Sequence, residues 1–179
     1  MRVPMIARLP GVIPAGSVCT ELATTMDLLP TLSALSGAKL PETLIDGRDI
    51  ANLLRGEPDA KSPHEVFYYY RRRQLQAIRW GHWKWHLPLE KTFPRWNDPS
   101  VTGKGRPGKL IDLKSDLREQ VDLAAKYPEV MAKMVVLAEL AVKKLGNESL
   151  NGAEQRPART LKQSFPMVME QTSQSDGER

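Results

Sequence analysis

The sequence has little cysteine: Cys19 is the single one among 179 residues. One cysteine excludes an intrachain disulfide and any metal site built from several thiolates. No apolar run approaches the roughly 18 consecutive residues that a membrane helix needs. The N-terminal residues do not form the unbroken apolar stretch of a signal peptide either, because Arg8 and the turn at Pro10 and Gly11 interrupt it.

The composition is that of an ordinary globular protein, with 41% hydrophobic and 26% charged residues. The formal net charge is +5 and the sequence pI is about 9.4. A basic balance is compatible with an anionic substrate, a nucleic acid or an acidic polymer, and it does not choose among them.

Apolar periodicity predicts two helices. Residues 1–10 read as a short strand, after which Thr24 or Thr25 can cap a helix that Gly37 ends. Residues 38–63 form a turn-rich connector with one short helical turn at 50–54. A second helix is predicted from Pro128 to Leu145, where apolar residues recur at helical spacing.

Between the helices the pattern changes to strands. They are predicted at 66–70, at 75–87 around a turn at 80–82, and at 110–113, which together suggest an antiparallel sheet of about four strands. Residues 93–108 are rich in proline, glycine and charge and are predicted to be an exposed loop. Residues 171–179 are predicted to be a disordered tail.

Candidate chemical groups are few. Cys19 has no cation beside it in sequence, so we interpret it as unreactive. His82 and His86 are four residues apart, but on a strand that spacing is typical of ordinary sheet histidines and no third metal ligand is evident.

The feature most like a ligand surface is the run YYYRRR at residues 68–73. Aromatic rings and guanidinium groups can bind sugars, sulfate, phosphate or nucleic-acid bases. We favour the other interpretation of this run, a strand that buries alternate tyrosines and ends in a solvated hairpin turn.

The order of the segments resembles the sulfatase family. The first half carries RVP at 2–4, PGVIPAG at 10–16, TMDLLPTL at 25–32 and IDGRD at 45–49. The second half carries FYY at 67–69, LQAIR at 75–79, WK at 83–84, LIDL at 110–113 and DLREQVDLA at 116–124. Each piece is weakly specific, whereas their common order from Arg2 to about Leu145 is strong.

The resemblance implies a sulfatase (arylsulfatase-like) hydrolase of sulfate esters with an alkaline-phosphatase-like α/β fold, of which this chain is a C-terminal fragment. In that family a formylglycine made in a C/S-x-P-x-R motif is the nucleophile, and a calcium ion held by Asp and Asn positions the sulfate. Cys19 is followed by Thr20, with neither the Pro nor the Arg of that motif in place. The family's metal motif would lie before Arg2.

We therefore expect no catalytic residue, no metal ligand and no cofactor in this chain, and no activity when it is alone. The resemblance implies residues 1–40 as the last strand and helix of a large α/β domain and 41–60 as a connector. Residues 61–158 would be a small antiparallel sheet packed by a helix, and 159–179 a polar tail. Tyr70 and Arg71 are the predicted substrate contacts at the rim of the pocket.

The implied partner is a sulfate ester, such as a sulfated carbohydrate, once the catalytic segment is joined, and the family suggests a periplasmic, extracellular or lysosomal location. Two alternatives stay open. One is a phosphate or phosphonate ester hydrolase of the same superfamily. The other is a non-enzymatic basic module that uses residues 71–73 to bind a sulfated polymer or, less favoured, nucleic acid.

Overall fold

The computed structural model describes residues 3–92 and 103–156. Helices α1 (Leu28–Ser36) and α2 (Ala51–Leu54) come first, six strands follow, and helix α3 (Pro128–Leu145) precedes two further short strands. The strands are β1 (Val66–Arg71), β2 (Gln74–Trp80), β3 (Trp83–His86), β4 (Leu89–Thr92), β5 (Gly103–Arg106), β6 (Lys109–Asp112), β7 (Gly146–Asn147) and β8 (Leu150–Asn151). No helix in the described ranges is long and apolar enough to cross a membrane.

Helix α1 begins where the sequence predicts. One 3-10 turn, Thr25–Asp27, leads into it, and the Asp27 carboxylate accepts hydrogen bonds from the backbone N–H of Thr24 (2.7 Å) and from its hydroxyl (3.0 Å). Gly37 ends the helix with a φ of 72°, a left-handed conformation that glycine adopts without a steric penalty. Both predicted helix ends are confirmed.

The connector is fastened to this helix by polar contacts. Arg48 donates its backbone N–H to the Asp27 carboxylate (2.8 Å), and Ile50 donates its own to the Thr31 hydroxyl (3.0 Å). Gly47 makes the approach possible, because a Cβ there would lie 1.8 Å from the carbonyl oxygen of Met26. The connector then forms α2, as predicted.

The strand predicted at 1–10 is wrong within the described residues. Residues 3–9 have no strand hydrogen bonds and most of them are exposed. A strand is held by its neighbours, and none of the described strands pairs with this segment. Apolar character alone therefore does not give it regular structure here.

The predicted four-stranded antiparallel sheet is confirmed, with the order β1-β2-β3-β6. Gln76 is an extra residue in β2, since Tyr69 faces Ala77 while Tyr70 faces Leu75. On one face of the sheet Leu75, Ile78, Trp85 and Leu110 pack against Val130, Met134, Leu137, Ala138 and Ala141 of α3. The prediction that α3 covers the sheet is also confirmed.

The loop predicted at 93–108 is wrong for its last part. Gly103–Arg106 forms β5, which pairs antiparallel with β4. Its glycines allow the two backbones to come close, since a Cβ on Gly105 would lie 2.2 Å from the carbonyl oxygen of Glu90. The glycines of β5 therefore permit close approach of two strands and do not mark a loop. Residues 93–102, and the tail predicted at 171–179, lie outside the described residues.

A small hairpin that the sequence analysis did not predict follows α3. Its strands β7 and β8 lie against the turn between β1 and β2. Asn147 accepts the backbone N–H of Leu75 (2.9 Å), and Glu148 donates its backbone N–H to the carbonyl of Arg73 (2.7 Å). The hairpin thus ties the end of α3 back to the sheet.

Candidate functional site

The sheet face away from α3 carries charged side chains, and we call it the polar face. Its basic side chains come from three neighbouring strands, and they share this face because side chains alternate between the two faces of a sheet. Arg79 of β2 lies opposite Lys84 of β3, and His86 of β3 lies opposite Lys109 of β6. Like charges directly opposite each other in a sheet are destabilising unless other groups offset them.

Glu119 supplies part of that offset. Its carboxylate accepts hydrogen bonds from Lys84 Nζ (2.7 Å) and from His86 Nε2 (2.5 Å). Lys109 Nζ holds the loop in place by donating to the backbone carbonyls of Glu119 (2.8 Å) and Gln120 (2.5 Å). The Lys84 side chain is only 6% exposed, so it needs this partner: an unpaired buried cation would be costly.

The surroundings of Glu119 and His86 determine the charge that each of them carries. Burial alone would raise the pKa of Glu119, but hydrogen bonds from Lys84 and His86 outweigh it and lower that pKa. Burial lowers the pKa of His86, and the nearby charges of Lys84 and Arg106 lower it further, against the effect of Glu119. At neutral pH Glu119 is therefore a carboxylate and His86 a neutral ring whose Nε2 carries the proton.

Arg106, at the end of β5, extends this cluster. One of its terminal nitrogens, Nη2, donates to the backbone carbonyl of Gln76 (2.8 Å), next to the strand pair that carries His86. Its Nε is buried and finds no hydrogen-bond acceptor among the described residues. Burial also lowers the pKa of this guanidinium. A buried donor without an acceptor is uncommon in native proteins and calls for an explanation.

A second polar region is the groove between the N-terminal segment and the turn after β2. It has a volume of about 530 Å³, and Lys61, Arg79, His82 and Lys114 are among the residues that line it. His64 also lines it and hydrogen-bonds to the buried Asp27 (Nε2 to Oδ1, 2.7 Å).

Asp27 itself is fully buried. Burial would raise the pKa of this carboxyl, but hydrogen bonds from the Arg48 backbone, from His64 and from Thr24 lower it. The carboxylate is thus already satisfied by four donors from three segments of the chain. We interpret Asp27 and His64 as the anchor of the N-terminal segment rather than as reacting groups.

The predicted substrate contacts Tyr70 and Arg71 lie at the end of β1 and follow Tyr69, which is in register with Ala77 and, through it, with His86. The Tyr70 ring packs against the apolar core, and its hydroxyl donates to the carbonyl of Gly146 (2.8 Å). A small cavity of about 200 Å³ beside it is also lined by Arg72 and Arg73. Arg71 is the exposed last residue of the strand.

The remaining candidate side chains, Cys19, His82 and His86, do not form a common site. Cys19 is exposed. His82 lies 3.9 Å from a carboxylate oxygen of Asp112, whereas His86 binds Glu119, so the two histidines have separate partners. Within residues 3–92 and 103–156 no three His, Cys, Asp or Glu side chains are grouped so that they could hold a metal ion.

The sequence analysis missed Lys84, Arg106 and Glu119 as site residues. For Lys84 a signal exists: in WKWH at 83–86 a lysine and a histidine alternate with tryptophans, which places both on one sheet face. Arg106 fell in a segment that was predicted to be a loop. Glu119 lies in a loop and has a left-handed backbone conformation with a φ of 57°, which no pattern in the sequence predicted.

Solved structures show which class of protein has this fold. The PsFucS1 sulfatase from Pseudoalteromonas sp. superposes with a TM-score of 0.55 at 22% identity, covering 74% of this chain and 28% of that one. BT4656, solved in complex with its substrate D-glucosamine-2-N,6-O-disulfate, superposes with a TM-score of 0.50 at 23% identity, covering 76% of this chain and 27% of that one. The mixed α/β fold is therefore one found in part of these larger proteins.

Sequence comparison narrows the class. A family model for the C-terminal region of aryl-sulfatase matches residues 62–165, and one for the C-terminal part of N-sulphoglucosamine sulphohydrolase matches residues 1–84. Human steryl-sulfatase is 46% identical over 161 residues, which cover 79% of this chain and 27% of that protein. The chain belongs to the sulfatase family and corresponds to its C-terminal region. It spans about a quarter of the length of that relative.

Proposed function

We propose that this chain is the C-terminal part of a sulfuric ester hydrolase and works only together with the catalytic part of such an enzyme. The observation that carries the proposal is the match to the C-terminal region of aryl-sulfatase over residues 62–165. The matched residues include the four-stranded sheet and α3, so the resemblance extends to a folded unit rather than to a short motif.

The exposed apolar surface of residues 3–44 supports the proposal that this chain packs against a larger protein part. Large apolar residues here leave half or more of their surface exposed; they are Val3, Met5, Ile6, Val18, Leu29, Leu32 and Leu44. Such a concentration of apolar surface is typical of a contact with another protein part. We propose that it packs against the larger α/β portion of a sulfatase.

The catalytic groups of the family are assigned to that larger portion. The sequence has no C/S-x-P-x-R motif in which a formylglycine could form. Calcium prefers several carboxylate and carbonyl oxygens, and the described residues provide no cluster of acidic side chains for it. This chain is therefore expected to contribute neither nucleophile nor metal ligands, and to be inactive alone.

The substrate proposed is a sulfate ester such as a sulfated carbohydrate. Tyr70 and Arg71 remain our proposed substrate contacts, because Tyr70 lines a cavity at one end of the sheet and Arg71 follows it as the exposed last residue of β1. The tyrosine hydroxyl is already bonded to Gly146, so Tyr70 would offer its ring edge rather than a hydrogen bond.

Turnover of a chromogenic aryl sulfate tests the proposal. We expect no turnover by the 179-residue chain, and turnover by a protein in which the chain is joined to a sulfatase catalytic portion. Aryl phosphate hydrolysis, measured in parallel, distinguishes the related phosphoesterases. Sulfate release by the 179 residues alone would contradict the proposed division of labour, and phosphate release without sulfate release would replace the assignment.

A further inference from the structure

The groove beside the turn after β2 is lined by more cations than carboxylates, and we call it the basic groove. Its cations come from three segments of the chain: Lys61 from the connector, Arg79 from β2 and Lys114 from the loop after β6. Glu21 is the one carboxylate among the residues that line it. That carboxylate already has partners, since Oε1 lies 3.8 Å from Lys61 Nζ and Oε2 accepts the backbone N–H of Ser62 (3.1 Å).

Arg79 is the cation of the basic groove that has no carboxylate partner among the described residues. Asp112, which does not line the groove, lies next to the other basic groups: it accepts the backbone N–H of Lys114 (2.9 Å) and lies 3.9 Å from His82. Arg79 Nε donates instead to the carbonyl of Gly81 (2.9 Å), which fixes the guanidinium beside the turn. The described contacts give its two terminal nitrogens no acceptor. A guanidinium held in this way presents N–H donors that match the oxygens of a sulfate, carboxylate or phosphate group.

The walls of the basic groove are fixed by hydrogen bonds between segments that are distant in sequence. Ser62 donates its hydroxyl to the carbonyl of Leu22 (2.6 Å), which joins the connector to the N-terminal segment. On the other side, Leu113 donates its backbone N–H to the carbonyl of His82 (2.9 Å), which joins the end of β6 to the turn after β2. The Lys61 side chain at the edge of the groove is 77% exposed, so the groove is open to solvent. The fold itself therefore forms the groove, as it forms most ligand sites.

The size and the lining of the basic groove favour a sugar unit that carries an anionic group. Its volume of about 530 Å³ lies within the range of ligand pockets, roughly 300–1,000 Å³. The hydroxyl residues Thr20 and Ser62 line it together with the apolar residues Leu113 and Leu117. No Phe, Tyr or Trp is among the described lining residues, so a nucleic-acid base would find no such ring to stack on.

The basic groove and the proposed substrate contacts lie at opposite ends of β1. Arg79 is in register with Phe67 near the start of β1, whereas Tyr70 and Arg71 are the last two residues of that strand. Phe67 and Arg71 are about 13 Å apart along an extended strand. The groove is therefore a second place on the same sheet.

We propose that the basic groove is an accessory binding site for a sulfated sugar unit, with Arg79 as the group that contacts the sulfate. The choice of a sulfated sugar rests on the proposed function, whereas the presence of an anion site rests on the groove and on the unpaired donors of Arg79. Lys61 and Lys114 add attraction through their charge. A sulfated chain long enough to reach both ends of the sheet would gain affinity from two contacts.

Binding to the 179-residue chain tests the site, and no turnover is required. The probes are N-acetylglucosamine 6-sulfate, uncharged N-acetylglucosamine, sodium sulfate and a thymidine oligonucleotide, all at constant ionic strength. NMR shifts of the Gly81 and His82 backbone amides report the location, with the amide of Met134 in α3 as the reference, and their concentration dependence gives Kd. We expect a saturable shift with the sulfated sugar, a weaker one with sulfate, and none with the uncharged sugar.

Charge substitutions define which residues of the basic groove contact the ligand. Arg79→Gln should raise Kd about tenfold, because a hydrogen bond to a charged group is lost. Lys114→Gln, at an exposed residue, should raise Kd about threefold through the loss of charge alone. Glu21→Gln should lower Kd about threefold, since it removes the carboxylate of the lining and keeps an acceptor for Ser62. Lys143→Gln removes an exposed cation from α3 and is the matched control, with an unchanged Kd.

The outcomes separate the alternatives. Absence of a saturable shift at Gly81 and His82, or an unchanged Kd in both Arg79→Gln and Lys114→Gln, would overturn the site. Equal affinity for the sulfated and the uncharged sugar would overturn it as well. Tighter binding of the oligonucleotide, or equal affinity for free sulfate, would overturn the assignment to a sulfated sugar. Binding of the sulfated sugar without any sulfatase activity in the joined protein would leave the groove standing and contradict only the proposed function.

Discussion

The two halves of this chain are held together by different physical means. Residues 66–151 form a sheet and a helix around an apolar core in which Ile78, Leu110 and Met134 are fully buried. Residues 3–64 have only short helices and expose many large apolar residues. There, the contacts that fix the backbone are hydrogen bonds to Asp27 and Thr31. The first unit can bury its own apolar surface, whereas the second needs something else to cover it.

Truncation in the core should have the largest effect. Met134→Ala removes a side chain with no solvent exposure in the middle of α3, and we expect a loss of about 3 kcal/mol in the free energy of unfolding. Urea unfolding followed by tryptophan fluorescence measures it. Val135→Ala, at a residue 41% exposed on the same helix, is the control and should cost well under 1 kcal/mol. Equal losses for the two variants would contradict the core described.

Loss of the hydrogen bonds to Asp27 should have the second-largest effect on stability, and the effect should be confined to residues 24–64. Asp27→Asn removes a charged acceptor of four hydrogen bonds, so we expect residues 24–64 to lose about 2 kcal/mol of protection. Amide hydrogen exchange should accelerate there and stay unchanged in β2 and α3. Glu42→Gln, at an exposed carboxylate of the same connector for which the described residues give no ion pair, is the control. Faster exchange throughout the chain would show that the two halves are not held independently.

The same anchor predicts a pH dependence. Hydrogen bonding lowers the pKa of Asp27 in the folded chain below its usual value near 3.8. A carboxyl with a lowered pKa stabilises the fold above its unfolded-state pKa, and that stabilisation is lost as pH falls towards the folded-state pKa. The protection factors of residues 24–64, which are the exchange rates corrected for the pH dependence of an unprotected amide, should therefore fall as the solution is acidified through this range. Asp27→Asn should remove that part of the acid sensitivity.

Loss of a single polar contact within residues 66–151 should have the smallest effect. Tyr70→Phe removes the hydrogen bond to the carbonyl of Gly146 and keeps the ring in the core, so about 1 kcal/mol of stability should be lost. Thermal unfolding measures it, with Tyr68→Phe as the comparison, because Tyr68 also packs against the core and its hydroxyl makes no hydrogen bond among the described contacts. A loss much above 2 kcal/mol would show that the ring, and not the hydroxyl, had been disturbed.

Much of the fold of residues 66–151 could be predicted from the sequence because the patterns that indicate its strands and its helix are local. Alternation marks β2 and β3, helical spacing marks α3, and turn residues separate them. The prediction at 1–10 failed because a strand depends on neighbours that a local pattern cannot supply. The prediction at 93–108 failed in part because glycines that permit close strand pairing look the same in sequence as glycines of a loop.

The candidate site was less accessible to prediction. Lys84 and His86 show in their alternation with tryptophans, but their partner Glu119 is more than thirty residues away on a loop. The buried Nε of Arg106 is a property of packing, which no residue pattern encodes. Tyr70 and Arg71 were selected by residue type and by the family resemblance, which implies that this subdomain reaches the rim of the substrate pocket, and their role in substrate contact stays a prediction.

The β7–β8 hairpin has a consequence for the order in which the chain folds. It joins Tyr70 to Gly146 across 76 residues, and Arg73 to Asn151 across 78. Closing so long a loop is entropically costly before other contacts have shortened it. Once the sheet has formed and α3 has docked on it, the hairpin lies next to its partners and the remaining search is short. We therefore expect these contacts to be made last in folding and broken first in unfolding.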